Sequence, residues 1–184
     1  KDIIGPSGPA DPGLSILAAQ TLDGKPIALL ANYAPHYFGT GMLSADYYGV
    51  FCRKIAEELG QQSGEGSFVA MMSQGTSGDQ SSRDYQKKQA PPSMENYGAE
   101  LAARAFEAYQ TIDWQAEAPI TMVEKILTLP YRVPDVDRLA WARNVLDNMD
   151  HELPNNWPEV YANETIILHE RQKTELKLQA IRIG

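Results

Sequence analysis

Two hydrophobic patterns alternate along this chain of 184 residues. Leu14-Ser15-Ile16-Leu17-Ala18-Ala19-Gln20 and Ile27-Ala28-Leu29-Leu30-Ala31-Asn32 are short apolar runs flanking Asp23-Gly24. An Asp-Gly pair between two such runs predicts a β-hairpin, because glycine takes the positive φ that a tight turn needs. The second run is apolar throughout, which predicts a central strand covered on both faces. From Ser44 the spacing changes. Tyr48, Phe51, Cys52, Ile55, Ala56 and Leu59 fall on one stripe of a helix that Ser44 caps and Gly60 ends. Phe68-Val69-Ala70-Met71-Met72 returns to the strand pattern and opens into a polar stretch, 73–92.

Ser93 starts a second helix over about 93–111, with Leu101, Ala105, Phe106 and Tyr109 on its apolar side. Residues 118–129 read as extended. Pro134 opens a third helix carrying Leu139, Trp141, Val145 and Leu146, and a fourth helical segment covers about 157–170. Leu176, Leu178, Ala180, Ile181 and Ile183 close the chain with a strand pattern. The order β-β-α-β-α-β-α-α-β predicts an α/β fold, a mixed β-sheet with helices packed on it.

Composition narrows the function classes. Apolar residues make up 43% and charged residues 22%, ordinary for a globular protein. A net charge of −8 argues against nucleic acid as a partner, since phosphate binding needs a basic surface. No apolar stretch approaches the ~20 residues of a transmembrane segment, and Lys1-Asp2-Ile3-Ile4-Gly5 does not begin a signal peptide. The absent initiator Met and the end at Gly184 lead us to expect one single-domain piece, 1–184, truncated at both ends. Cys52 has no second cysteine to pair with and reads as a small buried thiol.

Two places carry chemistry. His36 follows a strand within Asn32-Tyr33-Ala34-Pro35-His36-Tyr37, where an imidazole could ligate a metal or simply be hydrogen-bonded and half-buried. No H-x-H, H-E-x-x-H or C-x-x-C pattern accompanies it, so spacing alone does not indicate a metal. Ser73-Gln74-Gly75-Thr76-Ser77-Gly78-Asp79-Gln80-Ser81-Ser82 is a small-residue loop at a strand end. It holds hydroxyls, a carboxylate and glycine amides able to orient a ligand or meet an oxyanion, or it is a turn without chemistry. Gly75-Thr76-Ser77-Gly78-Asp79 misses the G-x-S-x-G nucleophile elbow at its last glycine, and a Ser-His-Asp triad would draw on His169. Asp46 stands at a helix start, able to support His36 or to favour the helix dipole. His151, His169 and Lys87-Lys88 read as solvated.

Asp11-Pro12-Gly13-Leu14-Ser15-Ile16-Leu17, Gly24-Lys25-Pro26-Ile27-Ala28, Asn32-Tyr33-Ala34-Pro35-His36, Ser44-Ala45-Asp46-Tyr47-Tyr48-Gly49 and Gln74-Gly75-Thr76-Ser77-Gly78-Asp79 occur in this order. Together they resemble the neutral/alkaline non-lysosomal ceramidase family, in particular its bacterial homologues. The resemblance implies part of a larger, secreted or periplasmic catalytic domain. The implied activity is zinc-dependent hydrolysis of the N-acyl amide bond of ceramide or a related lipid amide, which brings membrane-surface contact through the substrate.

On that match His36 is a zinc-ligand position, Ser81 is the serine of a Gly-Asp-x-Ser stretch, and Gly78 and Asp79 belong to the same catalytic loop. Asp46 and Ser77 support them. The family serine is followed by Pro-Asn, where this chain has Ser82-Arg83. The remaining zinc ligands expected of the family, an upstream histidine and a downstream glutamate and tyrosine, fall outside this sequence. The piece alone is therefore expected to be inactive. The alternatives are a non-catalytic ceramidase-like binding module and a metal-independent serine hydrolase using Ser77 or Ser81. The aromatics Tyr33, Tyr37, Phe38, Tyr47 and Tyr48 either line an apolar access groove or fill the core.

Overall fold

The computed structural model describes residue 5 and residues 8–62, 68–81, 90 and 92–184. Its elements are β1 (Ser15–Gln20), β2 (Pro26–Tyr33), α1 (Asp46–Glu58), β3 (Val69–Gln74), α2 (Met94–Tyr109), β4 (Ile120–Pro130), α3 (Val136–Asp147), α4 (Trp157–Arg171) and β5 (Lys173–Ile183). The expected order is the observed one. The chain divides into two compact units, residues 1–116 and 117–184.

In the first unit β1 turns back on β2 at Asp23-Gly24, where Gly24 has φ 85°. Thr21 closes the turn, its Oγ1 accepting the Lys25 N–H at 2.9 Å. β3 joins the other side of β2 in parallel, so β2 is the central strand of a mixed three-stranded sheet. Parallel neighbours need a crossover, and α1 lies within it.

Cross-strand rows sort the side chains by face. Ala18, Leu29 and Ala70 form one row, and Ile16, Ala31 and Met72 the next. These side chains pack with Tyr47, Phe51 and Ile55 of α1 and Leu101 of α2 in one core. Full burial of each large side chain contributes about 1.5–3 kcal/mol. Gly98 permits the close approach of the two helices, since a Cβ there would lie 2.6 Å from the Val50 Cβ.

The opposite face carries the row Leu17, Leu30 and Met71, with Leu17 and Met71 half-exposed. Among the described residues of this unit, the helices cover β2 on one face only, which corrects the expectation of cover on both. An uninterrupted apolar run has lost the alternation that would mark its packed side.

α1 begins at Asp46 without the expected cap. Ala45 occupies the N-cap in helical geometry and makes no side-chain cap bond. Ser44 Oγ accepts the Asp46 N–H instead, at 3.0 Å. Ser93 does cap α2, accepting the Asn96 N–H.

In the second unit β4 and β5 pair antiparallel from Ile120 opposite Ile183 to Pro130 opposite Lys173. α3 and α4 form the connection between them, with Leu139, Ala142, Ala162 and Thr165 buried. Asp135 and Asn156 cap these helices, each accepting a main-chain N–H three residues on. Among the described residues the last two strands make a two-stranded ribbon. Among the described residues no helix is long and apolar enough to cross a membrane.

Candidate functional site

Parallel pairing of β2 with β3 decides where the chemistry-bearing loops meet. Asn32 stands opposite Ser73 and Tyr33 opposite Gln74, so both strands end at one edge and release their loops there. The Asn32 side chain donates to Ser73 Oγ at 2.9 Å, and the Gly75 N–H donates to the Tyr33 carbonyl at 2.9 Å. Gly75 is needed at this contact, because a Cβ would fall 3.2 Å from the Ala34 Cα. Three residues past β2, the His36 N–H donates to the Gln80 carbonyl at 3.1 Å. The β3 loop turns tightly at Gly78-Asp79, closed by the Gln80 N–H donating to the Ser77 carbonyl at 3.2 Å. Ser81 thus follows directly on the carbonyl that receives the His36 N–H, and it is exposed.

The first turn of α1 braces the loop around His36. The Asp46 carboxylate accepts the N–H groups of Phe38 (3.0 Å), Gly39 (3.1 Å) and Tyr47 (2.8 Å). Asp46 is buried and sits at φ 51°, a conformation that aspartate tolerates better than most residues. Burial alone would raise its carboxyl, but these main-chain donors hold it below the usual aspartate value. The Tyr47 hydroxyl donates to the Pro35 carbonyl at 2.8 Å, pinning the residue before His36. Burial pushes that hydroxyl far above the ordinary tyrosine range, so it stays a donor. Gln80 ties in the lead-in segment: with its side-chain nitrogen turned toward the Asp11 carbonyl, its amide meets the Asp11 C=O and N–H at 3.1 Å each.

The expected residues are thus brought together in part. His36, Ser77, Gly78, Asp79 and Ser81 share one strand edge. Asp46 supports the loop, through the main chain of Phe38 and Gly39 and through no bond to the His36 ring. Sequence marks Tyr47 only as a groove or core aromatic and gives Gln80 and Asp11 no role of their own, because their contributions run through main-chain groups that no motif marks. Ser82-Arg83 and Lys87-Lys88 lie outside the described residues.

Of the aromatics, Tyr37 is exposed, while Phe38 and Tyr48 pack on the buried Tyr47. Tyr33 lines a cleft of about 340 Å³ with Leu14, Tyr97 and Leu101. Cys52 is half-buried, and burial pushes its thiol up, as suits an inert cysteine. His169 makes no hydrogen bond to a serine or carboxylate among the described residues, and its Nδ1 is buried without a partner.

Zinc sites take three or four protein donors. Among the described residues no group of three or more His, Cys, Asp or Glu side chains is placed to hold a metal. His36 Nδ1 accepts the Tyr37 N–H at 3.0 Å, so a neutral ring carries its proton on Nε2. Both Asp46 oxygens are taken by main-chain donors. These residues by themselves do not fit a zinc centre.

A mixed sheet that releases two loops from the carboxyl ends of a parallel strand pair belongs to the α/β class that builds sites at such edges. Among solved structures, the chain is similar to neutral ceramidase from Pseudomonas aeruginosa, with a TM-score of 0.51 and 18% sequence identity over 95% of this chain and 33% of that one. The likeness shows a shared α/β fold and a distant structural relationship. This chain spans about a third of the length of that ceramidase. No protein-family description and no curated protein sequence matches it.

Proposed function

We propose that this chain carries the strand-end loops of a hydrolase of the ceramidase kind, acting on the N-acyl amide bond of ceramide or a related lipid amide. The observation that carries the reading is the bond from His36 N–H to the Gln80 carbonyl, which fixes the histidine beside the Gly78-Asp79-Gln80-Ser81 loop. The likeness in fold to a ceramidase supports a hydrolase reading.

Amide hydrolysis adds a hydroxyl to the acyl carbon, breaks the C–N bond and sends a proton to the leaving amine. The carbonyl oxygen gains charge on the way. In this reading the Ser81 hydroxyl and the main-chain N–H groups of the Gly78 turn donate to that oxygen. Asp79 is the loop carboxylate that orients the departing amine. His36 would offer Nε2 to zinc only once the Tyr37 N–H releases Nδ1 and the ring proton moves there, and the other ligands would come from outside the described residues. Lipid chains lie against Tyr33 and its cleft.

The runner-up reading is a ceramidase-like binding module without catalysis. The engagement of His36 Nδ1 by the Tyr37 N–H favours it, because ligation through Nε2 is usually accompanied by Nδ1 acting as a donor.

The test is release of fatty acid from a short-chain fluorescent ceramide by the longest natural protein that carries these residues, with zinc counted in the same samples. Hydrolysis with about one zinc, both lost in His36→Ala, supports the amidase; Ser81→Ala should keep the zinc and lose turnover. Ceramide bound but not cleaved, with zinc unchanged in His36→Ala, sinks the amidase reading and leaves the binding module.

A further inference from the structure

The second unit has a cleft of about 540 Å³ between the turn at 132–135 and α4. Its lining is of mixed sign: Arg132 and Arg138 face it together with Asp135 and Glu164, and Tyr161 forms part of the wall. Among the described residues neither guanidinium has a carboxylate within ion-pair distance, although two carboxylates share the cleft. Arg138 is held over the Trp141 ring, 3.8 Å from its centre. Asp135 is held as the α3 cap, with one oxygen accepting the Arg138 N–H at 2.8 Å.

The rim is apolar and aromatic. Val133 and Val136 are exposed, and the exposed Trp157 stacks on Tyr161 at 5.9 Å. Aromatic side chains with polar tips beside arginines and exposed aliphatics are the composition favoured at a membrane–water interface.

From this juxtaposition we propose that the second unit docks on membranes by taking the phosphocholine headgroup of a lipid into the Arg132–Arg138 cleft. The phosphate pairs with the two guanidiniums, whose planar forks suit phosphate oxygens. The trimethylammonium lies against the Tyr161 ring, with Glu164 and Asp135 as counter-charges. Val133, Val136 and Trp157 meet the layer below the headgroups. A chain of net charge −8 is repelled by anionic bilayers, whereas a zwitterionic headgroup matches a cleft holding both signs. The inference rests on the second unit alone and does not require the amidase reading.

The experiment is co-sedimentation of this chain with phosphatidylcholine vesicles, scored against phosphatidylglycerol vesicles and against soluble phosphocholine followed by calorimetry. Wild type should bind phosphatidylcholine vesicles better than phosphatidylglycerol ones. Arg132→Gln with Arg138→Gln should weaken that binding at least about tenfold. Tyr161→Ala, which keeps both arginines, should weaken it too. All three residues are exposed, and circular dichroism confirms that each variant is folded. Three results would overturn the proposal: undiminished vesicle binding in both variants, preference for phosphatidylglycerol, or binding of soluble phosphocholine without binding of vesicles.

Discussion

The main-chain N–H of His36 donates to the main-chain carbonyl of Gln80 across 3.1 Å, joining the loops that leave β2 and β3. Both partners are backbone groups, so the junction does not depend on either side chain. The His36 ring is exposed, and among the described residues its one hydrogen bond is accepted from the neighbouring Tyr37 N–H. His36→Ala should therefore change unfolding free energy by no more than about 0.5 kcal/mol in urea titrations. A loss of several times that would mean that the ring itself is structural.

Asp46 supports the same loop from the other side. Asp46→Ala leaves buried N–H groups unpaired and puts alanine at φ 51°, so it should cost about 2–4 kcal/mol. The pH dependence has a definite sign. A carboxyl whose folded value is depressed contributes stability above the unfolded value, about 3.9, and loses it as pH falls through the folded value. Urea midpoints of wild type should drop on acidification below about pH 4, and those of Asp46→Asn should drop less.

Two glycines of the same loop should behave oppositely. A Cβ at Gly75 would press on the Ala34 main chain at 3.2 Å, whereas one at Gly78 would meet nothing within 4 Å. Gly75→Ala should destabilise by about 1–3 kcal/mol. Gly78→Ala should be neutral or stabilise by about 0.5 kcal/mol, because alanine narrows the unfolded ensemble. Thermal melts of the two variants check the contrast; equal losses would show that the loop is not seated as described.

In the second unit His151 lies between two carboxylates, with Nδ1 2.6 Å from Asp150 and Nε2 2.9 Å from Glu159. Hydrogen bonding to Asp150 first, then to Glu159, raises its pKa. The His151 contribution is complete below its unfolded value, about 6.5, and fades as pH rises through the folded one. Asp150 is lowered by His151, and Glu159 by the Asn155 N–H and then His151; their contributions fade as pH falls below about 4.5. The staple is therefore strongest between about pH 4.5 and 6.5. An NMR titration of the His151 ring should give a midpoint above 6.5 in wild type and a lower one in Glu159→Gln.

Much of the fold was legible. The Asp23-Gly24 turn, the Ser93 cap and the helix-ending Gly60 each act within a few residues, and local rules read them correctly. The start of α1 was not legible, because Asp46 is committed to main-chain donors at 38 and 39 that sequence cannot place. That β4 pairs with β5 was also hidden, since Ile, Val and Leu mark a strand without naming its partner. At the site, His36 and the Ser77–Ser81 loop stood out by residue type. The contacts that unite them have no compositional signature: those through Gln80 and Gly75 follow from the parallel register, and that through Tyr47 from the packing of α1 beside β2.

The parallel register of β2 with β3 also has a kinetic consequence. β1 and β2 are joined by a five-residue turn and can zip up early, whereas Asn32 reaches Ser73 only after 41 residues of chain have been drawn together. Closing so long a loop is slow and unrewarded until α1 packs on the sheet. The strand edge that holds His36 beside Gln80 is thus expected to form late in folding, after the contacts local to the hairpin.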